Sequence, residues 1–244
     1  MPHAFQGLIF IGAISLAGTS PSLQAQGVDV SAKIILRPSG RTDETKHKAP
    51  ASAANIVVWL SPVHPVAGRP TPAHQTNFRL VQKNKQFSPH LLIVPTGASV
   101  EFPNEDPFFH NVFSLFNGKR FDLGLYESGT SRSVRFDREG VSYIFCNIHP
   151  EMGAIVLSLS TPYFGKSAAS GSVIIRNVPP GSYRLNAWSE DGQPANSADI
   201  QRTVLVSTEP LNLGEIVFNR TSSTIENHKN KFGEDYPAIA SPKY

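Results

Sequence analysis

Cys146-Asn147-Ile148-His149-Pro150-Glu151-Met152 puts a thiol, an imidazole and a thioether into one short loop, spaced C-x2-H-x2-M. Upstream, Phe108-Phe109-His110-Asn111-Val112 supplies a second, isolated imidazole. The chain contains 1 Cys and 2 Met, one of them Met1, so both sulfur residues available for chemistry flank one histidine. Soft sulfur donors with imidazole select copper, and two His, one Cys and a weak axial Met make up an electron-transfer copper centre. Structural zinc takes four Cys or His donors and does not use methionine. A lone Cys is by default a small buried hydrophobe, and His110 alone would be an ordinary half-buried histidine. The conjunction is what selects His110, Cys146, His149 and Met152 as ligands of one copper ion.

Around this loop the chain alternates in short runs. Strands are expected at 91–94, 99–102, 110–115, 120–125, 131–136, 141–146 and 154–159, with Cys146 closing one and Met152 directly preceding the next. Pro95-Thr96-Gly97, Asn104-Glu105-Asp106-Pro107, Asn117-Gly118, Ser128-Gly129 and Glu139-Gly140 mark turns between them. Further out, 28–36 and 55–60 read as strands, the second apolar enough to be buried on both faces. Gly171 to Trp188 reads as two strands joined by Pro179-Pro180-Gly181, followed by strands at 203–206 and 214–218. The segment 61–73 is proline-rich, with His64 inside it and His74 beside it, and is expected to be a linker with incidental histidines. Residues after Asn219 are polar and poorly patterned and are expected to form an irregular or disordered tail.

Of the 244 residues, 40% are hydrophobic, enough for a sizeable core, and 18 Gly with 20 Pro fit many turns. No amphipathic helix of useful length stands out, so the expected class is all-β. A net charge of +3 without a dense Lys/Arg patch excludes a nucleic-acid surface. The apolar run 8–16, broken by Ala17-Gly18-Thr19-Ser20-Pro21, reads as an export signal over 1–25, too short to span a bilayer comfortably. No later stretch reads as a membrane span. Export favours oxidation, and a lone Cys there is a liability unless a metal occupies it.

The block 78–161 resembles the cupredoxin family of blue-copper proteins. The resemblance rests on His110-Asn111-Val112 and on the Cys146–Met152 spacing with Pro150 after the second histidine. It is most like the short-loop, amicyanin-like branch, and is also similar to bacterial methylamine-utilisation-type proteins. The resemblance implies a Greek-key β-sandwich with a thiolate, two imidazoles and an axial thioether on the metal. It implies that Asn111 ties the His110 strand to the Cys loop and that Pro150 stiffens that loop. Glu151 departs from the apolar residue of amicyanin and puts a shared docking partner in doubt. The flanking segments resemble a carboxypeptidase-regulatory, Ig-like or transthyretin-like β-sandwich. Residues 27–62 plus 164–219 would then form a discontinuous host sandwich, with the cupredoxin inserted and 220–244 as tail. A cupredoxin extended by extra strands at both ends is the alternative.

The expected function is that of an exported, non-enzymatic type 1 copper protein carrying single electrons between periplasmic redox proteins. An exposed edge of His149 would be the electron port, and Pro107, Phe108 and Ile148 a small docking patch. A copper-delivery protein without redox turnover is the alternative, disfavoured because the chain has neither a Met-rich nor a His-rich tract. Multicopper oxidases and nitrite reductases need paired H-x-H ligands, which are absent. No sequence feature supports a sugar-binding or adhesion groove, and no G-x-S-x-G, H-E-x-x-H or P-loop supports a hydrolase or nucleotide enzyme.

Overall fold

The computed structural model describes residues 27–38, 52–65, 77–115, 118–223, 225 and 228–236. The expected export signal and His74 lie outside the described residues. The fold is all-β. The strands are β1 (Val28–Arg37), β2 (Val57–Pro62), β3 (Phe78–Arg79), β4 (Val81–Lys83), β5 (Gln86–Ser88), β6 (Leu91–Pro95), β7 (Ser99–Pro103), β8 (His110–Ser114) and β9 (Phe121–Tyr126). They continue with β10 (Ser131–Arg135), β11 (Gly140–Cys146), β12 (Gly153–Leu159), β13 (Phe164–Lys166), β14 (Ser172–Val178), β15 (Gly181–Trp188) and β16 (Gly192–Pro194). A single turn of helix, α1 (Ser197–Ile200), precedes β17 (Thr203–Val206) and β18 (Leu211–Arg220). The pieces that patterning missed are the shortest ones, β3 to β5, β13, β16 and α1, whose few residues carry too little periodicity to read.

The middle of the chain forms a two-sheet sandwich. A five-stranded sheet, β6-β12-β11-β8-β9, faces a three-stranded sheet, β10-β7-β3. Alternation drives this packing, because every second side chain of a strand meets the same face. Thus Ile144 and Cys146 of β11 and Val112 of β8 enter a core with Val100, Phe102, Phe136, Met152 and Val156. The β8–β11 register, Cys146 opposite Val112, decides where the site is built.

The flanking segments form two more sheets, β14-β1-β18-β16 and β13-β2-β15-β17. Their inward residues share one core, with Val30, Ile34, Val58, Leu60, Val173, Ile175, Leu185, Ile216 and Phe218. This core draws on strands before and after the middle sandwich, and β1 pairs in parallel with β18 near the other end of the chain. Between the two bodies lies a smaller apolar cluster in which Val57, Trp59 and Trp188 meet Leu91, Ile93, Val141, Leu157 and Leu159. β2 is therefore covered on both faces. Past Arg220 the described residues form no regular element, yet they lie against the middle sandwich.

A polar contact also joins the bodies. His90 Nε2 lies 2.6 Å from Glu190 Oε2, and Glu190 Oε1 accepts from the Ser223 hydroxyl at 2.7 Å. The hydrogen bond to Glu190 holds the His90 imidazole above its ordinary pKa. Burial works to raise the Glu190 carboxyl, but His90 and Ser223 outweigh it and hold it low. The His90 contribution is thus complete below the ordinary histidine pKa and fades as pH rises through the raised value. The Glu190 contribution is present above the ordinary carboxylate range and fades on acidification. The pair is at full strength near about pH 5–6. Because His90 is half exposed, its worth stays under about 1 kcal/mol. The unfolding midpoint of His90→Gln, compared with the parent, should fall more at pH 5.5 than at pH 8.5. Equal losses at both pH values would remove the ion pair from the account.

Candidate metal centre

Strand periodicity brings the site together. His110 and Val112 lie on the same face of β8, and Val112 sits opposite Cys146 at the end of β11. Two residues separated by 36 positions are thereby neighbours, with Cys146 Sγ 3.6 Å from His110 Nδ1. The loop after Cys146 folds back through Cys146 N–H to Met152 C=O at 3.3 Å and Met152 N–H to His149 C=O at 3.0 Å. This turn brings His149 Nδ1 to 3.7 Å from Cys146 Sγ and 3.2 Å from His110 Nδ1. His110, Cys146 and Met152 are each 0% exposed and His149 2%. Met152 belongs to the same core cluster as Cys146.

These atoms fit a metal. The circle through the two Nδ1 atoms and Sγ has a radius of about 2.0 Å, the length of a metal–imidazole bond. Among the described residues, His110, Cys146 and His149 are the only group of three or more His, Cys, Asp and Glu that could close around an ion. A buried thiol, two imidazoles and a thioether form a donor set typical of a type 1 copper site.

His110 is oriented by a residue that sequence reasoning assigned only to a turn. Its Nε2 lies 2.9 Å from Asp106 Oδ2. Asp106 also accepts from the backbone N–H groups of Asn84 at 2.6 Å and Lys85 at 2.9 Å. Since the carboxylate accepts only, His110 carries its proton on Nε2, and the Nδ1 lone pair faces the thiol. A carboxylate behind a ligating histidine fixes its tautomer and raises its basicity. The signal available in the sequence was an acid four positions before the histidine. The turn is pinned by Asn104, whose Nδ2 donates to Phe108 C=O at 2.8 Å and whose Oδ1 accepts from Asp106 N–H at 3.0 Å.

Burial pushes the Cys146 thiol up, against the backbone N–H groups of Asn111, Ile148 and His149 that point at its sulfur. Burial lowers both imidazoles; Asp106 opposes this at His110, and His110 adds to it at His149. For Asp106, burial works upward, but the Lys85 amide, His110 and the Asn84 amide together hold the carboxyl below its ordinary value. The metal-free cluster at neutral pH is therefore a thiol with two neutral imidazoles, and binding a metal releases the thiol proton.

One expectation is corrected. His149 presents no exposed edge, because the loop draws its ring inward beneath Phe108, 5.6 Å away between ring centroids. Phe108 also lies 5.3 Å from His110, and Lys85 Nζ sits 5.6 Å over its ring. The exposed residues next to the ligands in the chain are instead Ile148, 40% exposed, Phe109, 51% exposed, and Pro107. Asn111 does tie the His110 strand to Cys146, through its backbone N–H, which points at the sulfur, while its Nδ2 donates to Asp122 Oδ1 at 2.7 Å. Pro150 is exposed within the loop turn, where a missing N–H costs nothing. His64 is exposed and outside the cluster.

Sequence reasoning also missed the segment that follows β18. Tyr236 donates its hydroxyl to Cys146 C=O at 2.9 Å, and Lys231 N–H donates to Asn147 Oδ1 at 2.9 Å.

No family model matches the chain, and no curated protein matches it. Solved structures similar to part of it include a purple cupredoxin from Nitrosopumilus maritimus, 26% identical, covering 34% of this chain and 99% of that one, with a TM-score of 0.31. A reduced mutant of amicyanin is 18% identical over 35% of this chain and 84% of its own, with a TM-score of 0.33. A copper-containing nitrite reductase from Thermus scotoductus is 25% identical over 41% of this chain and 25% of its own, with a TM-score of 0.32.

Proposed function

We propose that the chain is an exported type 1 copper protein that carries single electrons between redox partners in the periplasm. The observation that carries this reading is the buried triangle of Cys146 Sγ, His110 Nδ1 and His149 Nδ1, with sides of 3.2 to 3.7 Å. Copper held there would accept and release one electron between Cu(II) and Cu(I). The residues contribute rigidity. Strands hold His110 and Cys146, Asp106 holds the His110 ring, and the 146–152 turn holds His149, so little rearrangement accompanies a change of charge. Met152 would be the axial thioether. The site excludes water, which suits electron transfer better than release of the ion. A delivery protein, the second reading, needs donors that an incoming acceptor can reach, and these ligands are almost fully buried.

In this reading, residues 27–62 and 164–219 are a transthyretin-like host sandwich into which the cupredoxin of 78–161 is inserted. The common core of β1, β2, β14, β15 and β18 supports it. Export rests on the apolar stretch within 1–25. Among the described residues no helix is long and apolar enough to cross a membrane. Pro107, Phe108 and Ile148, with Phe109, would form the docking patch, and electrons would leave through Phe108 or Ile148.

Titration of the protein with Cu(II) tests the reading. One equivalent should produce an intense visible thiolate-to-copper band that disappears on reduction and returns on oxidation; colourless binding would end it. His149→Gly should lose most of that band and recover it with added imidazole, which fits the space the ring vacates. An unchanged band without imidazole would remove His149 from the ligand set.

A further inference from the structure

The described residues after β18 run from the flanking body to the metal loop. They leave β18 with Thr221 N–H donating to Asp191 C=O at 2.8 Å, and Ser223 then bonds Glu190. Ile225 packs on Gly153, the residue after Met152, and a Cβ at Gly153 would overlap the Ile225 methyl. His228 stacks on Phe145, the residue before Cys146, with ring centroids 4.0 Å apart and planes within 7°. Its Nε2 lies 3.1 Å from the Tyr236 hydroxyl. The turn between is self-supporting, since Asn230 Oδ1 accepts from Phe232 N–H at 2.9 Å and Glu234 N–H at 3.0 Å.

The contacts fall on the neighbours of the ligands. Lys231 Nζ donates to Asp122 Oδ2 at 2.8 Å, while Asp122 Oδ1 accepts from Asn111, the residue after His110. The Lys231 backbone N–H donates to Asn147, the residue after Cys146. The two asparagines that follow ligands are thus joined through Asp122 and Lys231. Beside the direct bond from the Asn111 backbone N–H to the Cys146 sulfur, a second tie between the His110 strand and the Cys loop runs through this segment. Tyr236 then caps the Cys146 carbonyl.

We propose that Ser223, Ile225 and residues 228–236 form a strap belonging to the metal centre, in which Tyr236 and Lys231 position the Cys146–His149 loop and hold it closed over the ion. The proposal rests on the copper reading for its effect on metal, and on the protein alone for its effect on the loop. Holding the loop from outside lets a short turn keep its geometry when the ion's charge changes, and slows loss of the ion, which must part the loop to escape. Outer partners of ligands typically govern 10 to 100-fold in metal affinity.

The test uses the full chain. In metal-free protein, Tyr236→Phe and Asn147→Ala should each speed amide hydrogen exchange at 146–149 by about tenfold. Tyr183→Phe is the control, since it removes another buried tyrosine hydroxyl, bonded to Pro179 C=O at 2.8 Å in the flanking core, and should leave these amides unchanged. With copper bound, transfer to a chelator should accelerate about tenfold in Tyr236→Phe and in Asn147→Ala, and the double variant should be less than additive because both act through one loop. Loop exchange equal to the parent, or copper transfer no faster than in the control, would overturn the strap. Lys231→Ala carries the same readouts should either variant fail to fold. If the parent binds no copper, the electron-carrier reading fails while the exchange experiment still decides the strap.

Discussion

Cys146→Ser should abolish the visible band of the copper-loaded protein completely and weaken copper binding by more than about a hundredfold, beyond the effect of losing an outer partner. The sulfur is 0% exposed at one corner of the triangle, and the sequence holds no other Cys to replace it. The exchange of sulfur for oxygen is nearly isosteric. The backbone N–H groups of Asn111, Ile148 and His149 that point at the sulfur would then meet a hydroxyl, which accepts hydrogen bonds as well. The fold should therefore survive, and the loss can be assigned to the ligand. An absorption titration with Cu(II) on parent and variant reads the result, with circular dichroism as the check on folding. A variant that keeps the band would separate Cys146 from the metal and dissolve the type 1 assignment.

Asp106→Ala should produce the next largest effect, lowering copper affinity by 10 to 100-fold and destabilising the metal-free protein by about 2–4 kcal/mol. The carboxylate is buried, and its removal strands the N–H groups of Asn84 and Lys85 together with His110 Nε2. Each orphaned donor costs about 1–3 kcal/mol, offset in part where the turn opens to water. His110 also loses the acceptor that keeps its proton on Nε2, so the lone pair no longer faces the thiol in every molecule. Asp106→Asn separates the two losses, since its amide oxygen can still accept from His110 while the charge is gone. It should retain more affinity than the alanine variant. Urea unfolding of the apo protein and competition with a copper chelator measure both quantities; affinity unchanged in Asp106→Ala would mean the His110 ring is held by packing alone.

Much of the centre could be read from residue order. The Cys146–Met152 turn is local: its ligands lie within seven positions, and their spacing already limits how they can face one another. Strand positions were legible wherever alternation ran for five or more residues, as in β7, with Val100 and Phe102 inward and Glu101 outward. Patterning failed on two- and three-residue strands such as β3 and β13, which are held by their neighbours rather than by a pattern of their own. It failed also on Asp106, because a carboxylate in an Asn-Glu-Asp-Pro string looks like any turn acid until its partners are known. The burial of His149 was misjudged because nothing local announces that Phe108 will lie over it.

The order of residues alone specified a soft, sulfur-containing donor set and an all-β chain, because ligand type and strand alternation are short-range properties. Long-range pairing specified the rest. The β8–β11 register sets His110 beside Cys146, the turn at Asn104 aims Asp106 at the imidazole, and the polar segment after β18 closes over the loop. Those contacts join positions between 2 and 90 apart in the chain, and the more distant of them exist only once burial of apolar faces has brought separate strands together, which no stretch of sequence read in isolation reveals.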